Sequence, residues 1–249
     1  QGILLSQTPY VILLNNDTVC DPFYVEKLIG AIEEREDAFA CAPMMVQMSD
    51  PERMDNGGDY YCALGWAYAY DKEKEARNYE KERKIFSACA GASIYRRKVF
   101  DEIGLFDEAH FAYLEDIDIA YRARIAGYRN YYIPEALVRH AGSATTGSVY
   151  NEFKIRYSSR NSIYLIYKNM PWLQILLNLP LLAAGFLIKT LFFAKKGYFR
   201  EYVTGLKKGT ALCRRERKVP FRRKNLKNYV RIQWELWINI FRRLTDLHF

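Results

Sequence analysis

Apolar positions along this chain change their period as it proceeds. Residues 10–14 form an unbroken apolar run, Tyr-Val-Ile-Leu-Leu, as a strand buried on both faces does, and the polar turn Asn15-Asn16-Asp17-Thr18 closes it. Asp21-Pro22 then opens a helical pattern that runs to Glu34, with proline in the first turn, where its missing N–H costs nothing. Residues 38–46 read as the next strand. Strand, loop and helix in this rhythm predict an α/β domain.

Residues 49–82 break the rhythm, being polar, charged and interrupted by Gly57-Gly58, which predicts an excursion or loop over a site. A small apolar stretch at 86–95 reads as a buried strand, followed by the basic turn Arg96-Arg97-Lys98 and a short helix before Gly104. The next helix covers 116–126 and stops at Gly127, a residue suited to the conformation just past a helix end. Residues 131–133 lead through Pro134 to a short strand at 136–139. Past His140 the pattern becomes two long helical stretches with an apolar segment between them. A boundary near Tyr150 separates an α/β part, 1–150, from a helical, basic and aromatic part, 151–249.

Composition narrows the class. Half of the 249 residues are hydrophobic, enough for a sizeable core, so disorder is not the default. Twenty tyrosines favour amphipathic surfaces and contact with sugar or a membrane interface. Five scattered cysteines without a C-x-x-C pair suggest neither a disulfide framework nor a zinc site, and fit a reducing cytoplasm. The chain opens at Gln1 with no signal pattern and is in a buried-strand run by residue 10, so Gln1 reads as an internal start.

Three constellations could carry chemistry. Asn15-Asn16-Asp17 follows a buried strand, where open α/β sheets bind ligands; Asp17 and the Asn15 amide could hold a hard cation on a diphosphate, or the trio could simply form the turn. Glu115, Asp116 and Asp118 crowd three carboxylates into four residues at a helix start, which predicts that at least one pKa rises and that a general base is available. Acids there also gain from the helix dipole, a capping role that fits Asp118. His140, at the end of a strand, could be a ligand or a histidine satisfied by a neighbour.

Read in order, "VILLNNDT" (11–18), "GASIYRR" (91–97), "GLFDEAHFAYLEDIDIAYRARIAGY" (104–128) and "VRHAGS" (138–143) resemble the family 2 glycosyltransferases, in particular their rhamnosyltransferase-like bacterial branch. Arg160-Asn161 looks like the "RN" that follows in that branch. The resemblance implies an inverting enzyme of GT-A fold, Rossmann-like with a mixed central sheet. It implies that Asp17 binds a divalent cation, Mg or Mn, with Asn15, Asn16, Gly91 and Ala92 on the donor and His140 completing the metal site. Asp116 would be the base and Glu115 would orient it or touch the acceptor. Asn15 replaces the acid of the commoner D-x-D, and His110 stands where the branch has an aromatic, so His110 is taken as structural. The strands that hold the nucleotide base in the family have no counterpart here, so the chain is expected to lack that part of the fold. The implied partners are a nucleotide-sugar donor, with dTDP-rhamnose the first guess, and a glycan or lipid-linked acceptor. A non-catalytic membrane-docking domain that keeps the fold is the alternative; the presence of Asp17, Asp116 and His140 together favours the enzyme.

Charge adds a location. Residues 189–231 hold fifteen Lys or Arg against two Glu, a net of +13, whereas 1–188 hold twenty against twenty-five, a net of −5. A basic block attracts anionic lipid or nucleic acid, and with no recognition motif beside it nucleic acid is not expected. Residues 169–188 are uncharged and long enough to cross a bilayer, but Pro171 and Pro180 are expected to interrupt them and Gln174 and Asn178 add polar cost. A single crossing would also put the basic block on the side opposite a domain that uses cytoplasmic sugar nucleotide. A surface-lying or re-entrant segment, or a helical hairpin, at the cytoplasmic face is therefore expected. Leu226, Val230, Trp234, Trp237, Phe241 and Leu244 form a stripe on the last helix that could lie among lipid headgroups, or pack on the catalytic domain or on a second copy in a homo-oligomer.

Overall fold

The computed structural model describes residues 1–142 and 150–246; Ser143, the last residue of the fourth motif, lies outside them. A single turn, α1 (Gly2–Leu5), precedes β1 (Tyr10–Leu14), β2 (Thr18–Cys20), α2 (Tyr24–Glu33) and β3 (Ala38–Gln47). Short strands β4 (Met54–Asn56), β5 (Asp59–Cys62), β6 (Trp66–Ala69) and β7 (Arg83–Ile85) lead to β8 (Ala92–Arg96). Then come α3 (Arg97–Ile103), α4 (Glu115–Ala126) and β9 (Arg129–His140), and four helices complete the chain: α5 (Glu152–Asn169), α6 (Trp172–Lys195), α7 (Phe199–Ala211) and α8 (Leu226–Asp246). The chain divides into two compact units. The first holds Gln1–Tyr60, Tyr68–Leu105 and 123–142; the second holds Tyr61–Ala67, Phe106–Arg122 and 150–246.

The sheet of the first unit runs β1-β8-β3-β9-β2, with β4 added to β3 and β7 to β9. β3 and β9 are parallel and the remaining pairs antiparallel, so the sheet is mixed. β3 is buried at every position but Gln47, which explains its nearly continuous apolar sequence. Pro134 does not split β9 in two as the sequence led us to expect. It lies where the register jumps from Pro43 opposite Ile133 to Met44 opposite Leu137, an irregularity that needs no ladder hydrogen bond from either proline. The stretch read as a strand from residue 86 becomes one only at Ala92, and the excursion at 49–82 supplies β4, β5 and β6 rather than a featureless loop.

α2 packs on one face of this sheet through Tyr24, Leu28, Ala31 and Ile32, against Cys41, Met45, Ile94 and Val138. Tyr24 Oη donates to the Ala92 carbonyl at 2.6 Å. Arg96, buried at the end of β8, closes the other end of the helix. Its guanidinium donates to Ile32 O at 2.5 Å, Arg35 O at 2.9 Å and Ala38 O at 2.9 Å. A cation on the last carbonyls of a helix also meets the negative end of its dipole.

In the second unit α6 runs unbroken through Pro180, and Pro171 is its N-cap, so neither proline interrupts it. Gln174 and Asn178, which look like a membrane penalty in the sequence, are buried and paired. Tyr121 Oη donates to Gln174 Oε1 at 2.7 Å, and Asn178 exchanges two 2.8 Å hydrogen bonds with Gln233 of α8 and accepts a third from Trp237 at 3.0 Å. Trp237 thus turns inward, while Val230, Trp234 and Phe241 of the expected stripe stay exposed. Replacing Arg96 by Met removes three hydrogen bonds from the carbonyls of Ile32, Arg35 and Ala38, of which Arg35 O keeps the Ala38 N–H, so the unfolding free energy in a urea titration should fall by about 2–4 kcal/mol.

Candidate active site

Antiparallel pairing of β2 with β9 sets Thr18 opposite His140 and carries Asp17 to the same edge. The Ala141 N–H donates to Asp17 O at 3.0 Å and fixes the turn, and His140 Nε2 lies 3.3 Å from the Asp17 carboxylate. On its other side His140 Nδ1 is 2.7 Å from Asp55 Oδ2, and Lys72 Nζ is 3.6 Å from the same carboxylate. Asp55, at the start of the excursion, had no spacing signal that would pick it from the surrounding acids. It fixes the ring from the Nδ1 side and so leaves Nε2 facing Asp17. Two acceptors 3.3 Å apart need positive charge between them, either the second ring proton or a bound cation. Carboxylate oxygen plus an imidazole nitrogen oriented by a second carboxylate is a donor set that fits a divalent ion such as Mn or Mg.

Asn15 ties the turn to β8. Its N–H donates to Gly91 O at 2.8 Å, and its carbonyl accepts from Thr18 Oγ1 at 2.7 Å. A Cβ on Gly91 would come within 3.2 Å of the Asn15 amide, so Gly91 lets the two loops approach. Ala92 is buried and pairs with Leu14, and Asn16 is exposed at the tip of the turn. Asp17, Asn15, Gly91 and His140 are therefore brought together in the first unit, along with Asp55.

Glu115 and Asp116 open α4 in the second unit. The loop before them is strained, with Phe111, Tyr113 and Leu114 all at positive φ (60°, 68° and 67°), each costing about 1–3 kcal/mol. Arg160-Asn161 of α5 holds it. Asn161 Nδ2 donates to His110 O, Ala112 O and Tyr113 O at 2.9, 2.7 and 2.7 Å, and Arg160 reaches Ala109 O and His110 O at 2.7 and 2.6 Å. The Asp116 carboxylate accepts from the Ile117 N–H at 2.8 Å, and one Glu115 carboxylate oxygen is buried without a hydrogen-bond partner.

Asp118 neither caps the helix nor shares a proton with its neighbours. Fully buried, it accepts from Arg122 at 2.8 and 3.1 Å, Lys168 at 2.8 Å and Asn169 at 2.8 Å, with His110 Nε2 at 3.6 Å. Burial opposes its ionisation, but His110, Arg122 and Lys168 outweigh it and hold the carboxyl well below its usual range. Lys168 and Tyr164 each donate to Asp107 at 2.6 Å. Burial again works against the charge, and those two donors hold Asp107 down to about 2. Asp107, His110 and Asp118 lie close enough to suit a metal, but the Lys168 ammonium and the Arg122 guanidinium already occupy that position. The cluster is an ion-pair network with the buried His110 ring beside it.

Residues 2–161 match the family model described as "Glycosyltransferase like family 2". The chain belongs to that family, and its α/β fold around a mixed sheet, with a helical C-terminal region, is of the GT-A class. Among curated proteins it is similar to the N-acetylglucosaminyl-diphospho-decaprenol L-rhamnosyltransferase of two Mycobacterium tuberculosis strains, at 27% identity over 180 residues, 66% of this chain and 57% of that one. The chain thus spans somewhat over half the length of these relatives. Among solved structures it matches GalNAc-T7 with UDP, GalNAc and Mn2+ at a TM-score of 0.49 and 12% identity, over 66% of this chain and 32% of that one.

Replacing Lys168 by Met leaves two carboxylates without their shared cation and should lower the unfolding free energy by about 3–5 kcal/mol. Because the folded pKa values of Asp107 and Asp118 lie below the unfolded value near 3.8, the intact network stabilises the protein above that pH and loses this contribution as pH falls towards about 2. Urea titrations across that window should show a smaller pH dependence in Lys168→Met than in the parent.

Proposed function

We propose that the protein transfers a sugar from a nucleotide-sugar donor to a hydroxyl of a glycan or lipid-linked acceptor, with inversion, in the synthesis of a cell-surface polysaccharide. The observation that carries this reading is the Asp17–His140 pair oriented by Asp55, standing at the motif where the family holds its donor diphosphate. Asp17 and His140 are the ligands of a divalent cation, Asn15, Asn16, Gly91 and Ala92 border the donor, and Asp55 keeps the His140 ring in register. A cation held there would neutralise charge developing on the leaving diphosphate. Asp116 takes the proton from the acceptor hydroxyl as that oxygen attacks the anomeric carbon, with Glu115 beside it for orientation. A single displacement from the face opposite the leaving group inverts the anomeric centre. A dTDP-rhamnose donor is the first candidate, supported by the mycobacterial relative, whose name gives a rhamnosyl transfer to N-acetylglucosaminyl-diphospho-decaprenol.

The test separates binding from chemistry. In the intact protein, Asp17→Ala and His140→Ala should weaken Mn binding at least tenfold, read by paramagnetic resonance of the ion. Asp116→Asn should leave Mn and donor binding unchanged and abolish nucleoside diphosphate release. Equal loss of Mn binding in all three, or no release from the parent with any sugar nucleotide, would overturn this division of roles.

The same reading places the protein at the cytoplasmic face of a membrane. α6 is 24 residues long, apolar enough to cross a membrane and exposed over most of its length, with Leu173, Leu176 and Leu191 more than half exposed. α8 adds exposed Trp234 and Phe241, and the +13 block lies between the apolar stretches. Each basic side chain near an anionic leaflet contributes about 1 kcal/mol, screened beyond about 8 Å at physiological salt, whereas buried tryptophan and leucine are insensitive to salt. High salt should therefore release only part of the protein from membranes, and sedimentation with vesicles should rise with their anionic lipid content. Binding indifferent to lipid charge would assign the basic block to another partner.

A further inference from the structure

The second unit carries an apolar groove of about 670 Å³, within the roughly 300–1,000 Å³ of small-molecule sites. Leu173 and Leu177 of α6 form one wall and Leu226 and Val230 of α8 the other, with Phe221 at one end. Two polar groups of its lining are already paired, Gln174 Oε1 with Tyr121 and the Gln233 amide twice with Asn178. Arg215 and Lys218 line its rim, and seven of the eleven residues 214–224 are Lys or Arg. An apolar trough under a cationic rim is complementary to a chain that ends in a phosphate.

The groove is joined to the helix that opens with Glu115 and Asp116. Lys218 Nζ donates to Tyr167 O and Met170 O at 2.5 and 2.8 Å, and Val219 N to Lys168 O at 2.8 Å, which pins the basic rim to the end of α5. Lys168 and Asn169, at that same end, hold Asp118 of α4. From the floor, Gln174 holds Tyr121, five residues along α4 from Asp116, a rise of about 7.5 Å along the axis. Rim and floor are thus fixed separately to the helix that carries the proposed base.

We propose that this groove seats the lipid carrier of the acceptor: an isoprenoid-type chain between α6 and α8, its phosphate or diphosphate on Arg215 and the neighbouring basic rim. This rests on the lipid-linked acceptor reading above and gives that acceptor a binding site. A lipid held here differs from bulk membrane lipid because the rim and floor are fixed to α4, whereas the exposed Phe241, near the far end of α8, is not part of the groove lining.

The test uses the intact protein and calorimetric titration with farnesyl diphosphate, inorganic diphosphate and farnesol, with no sugar donor present, so its outcome is independent of whether sugar transfer is observed. Farnesyl diphosphate should bind saturably, one per chain, at least tenfold more tightly than either of the other two. Val230→Asp and Leu177→Asp, both at half-exposed positions, should each weaken it tenfold or more, and Arg215→Glu should remove the advantage of the diphosphate. Phe241→Ser should leave this binding unchanged while reducing sedimentation with phosphatidylglycerol vesicles. Equal binding of inorganic diphosphate would make the rim a simple anion site and overturn the proposal. Insensitivity to Val230→Asp, or full displacement of farnesyl diphosphate by phosphatidylglycerol vesicles, would also overturn it. No saturable binding would leave the groove to a helix of a partner or a second copy.

Discussion

A buried carboxylate with two cations on it organises the second unit. Asp118 on α4 is reached by Arg122 from the next turn of the same helix and by Lys168 and Asn169 from the end of α5, and Lys168 reaches on to Asp107. Desolvating these charges costs several kcal/mol per ion, so the network adds little net stability over an apolar substitute, yet losing one member leaves another charge stranded. Its effect is on geometry. α4 cannot rotate or slide against α5 without breaking charge-assisted hydrogen bonds, and the first turn of α4 presents Glu115 and Asp116. The strained residues before that turn are held the same way, by three hydrogen bonds from one side chain, Asn161.

The first unit uses the sheet for an equivalent purpose. His140 and Asp17 are 123 residues apart in sequence, and the β2–β9 ladder brings them to 3.3 Å at one edge. Asp55 then decides which nitrogen of His140 faces Asp17, something neither residue controls by itself. Gly91 contributes by having no side chain, since a Cβ would crowd the Asn15 amide. In both units the candidate residues sit on turns, short strands and the ends of strands and helices, and the regular elements behind them set their positions.

The helical region shows how polar residues within an apolar helix can be misread. Gln174 and Asn178 look costly if α6 is imagined in lipid, but each faces inward, where Tyr121, Gln233 and Trp237 satisfy it. With its polar groups satisfied inside, the helix is left with leucines outside. The exposed leucines of α6, the exposed aromatics of α8 and the basic link between α7 and α8 then lie on the surface of one compact unit.

The sequence by itself determined what depends on neighbours in the chain. Periodicity placed β1, β3, α2 and the body of α4; motif order identified the family; and the charge count located the basic block. It also put Asp17, Asp116 and His140 forward as candidates, because those residues stand at fixed places in short motifs. What it could not determine depends on distant partners. Asp55 is one acid among many until His140 is folded against it. Asp118 reads as a helix cap, or as one of three repelling carboxylates, until Lys168, fifty residues later, supplies its counter-charge. Pro134 and Pro180 read as breaks, whereas a register irregularity absorbs the first and α6 continues through the second. Local spacing fixes backbone conformation and motif chemistry, but the pairing of buried polar groups is a long-range choice, made only when desolvation forces each one to find a partner.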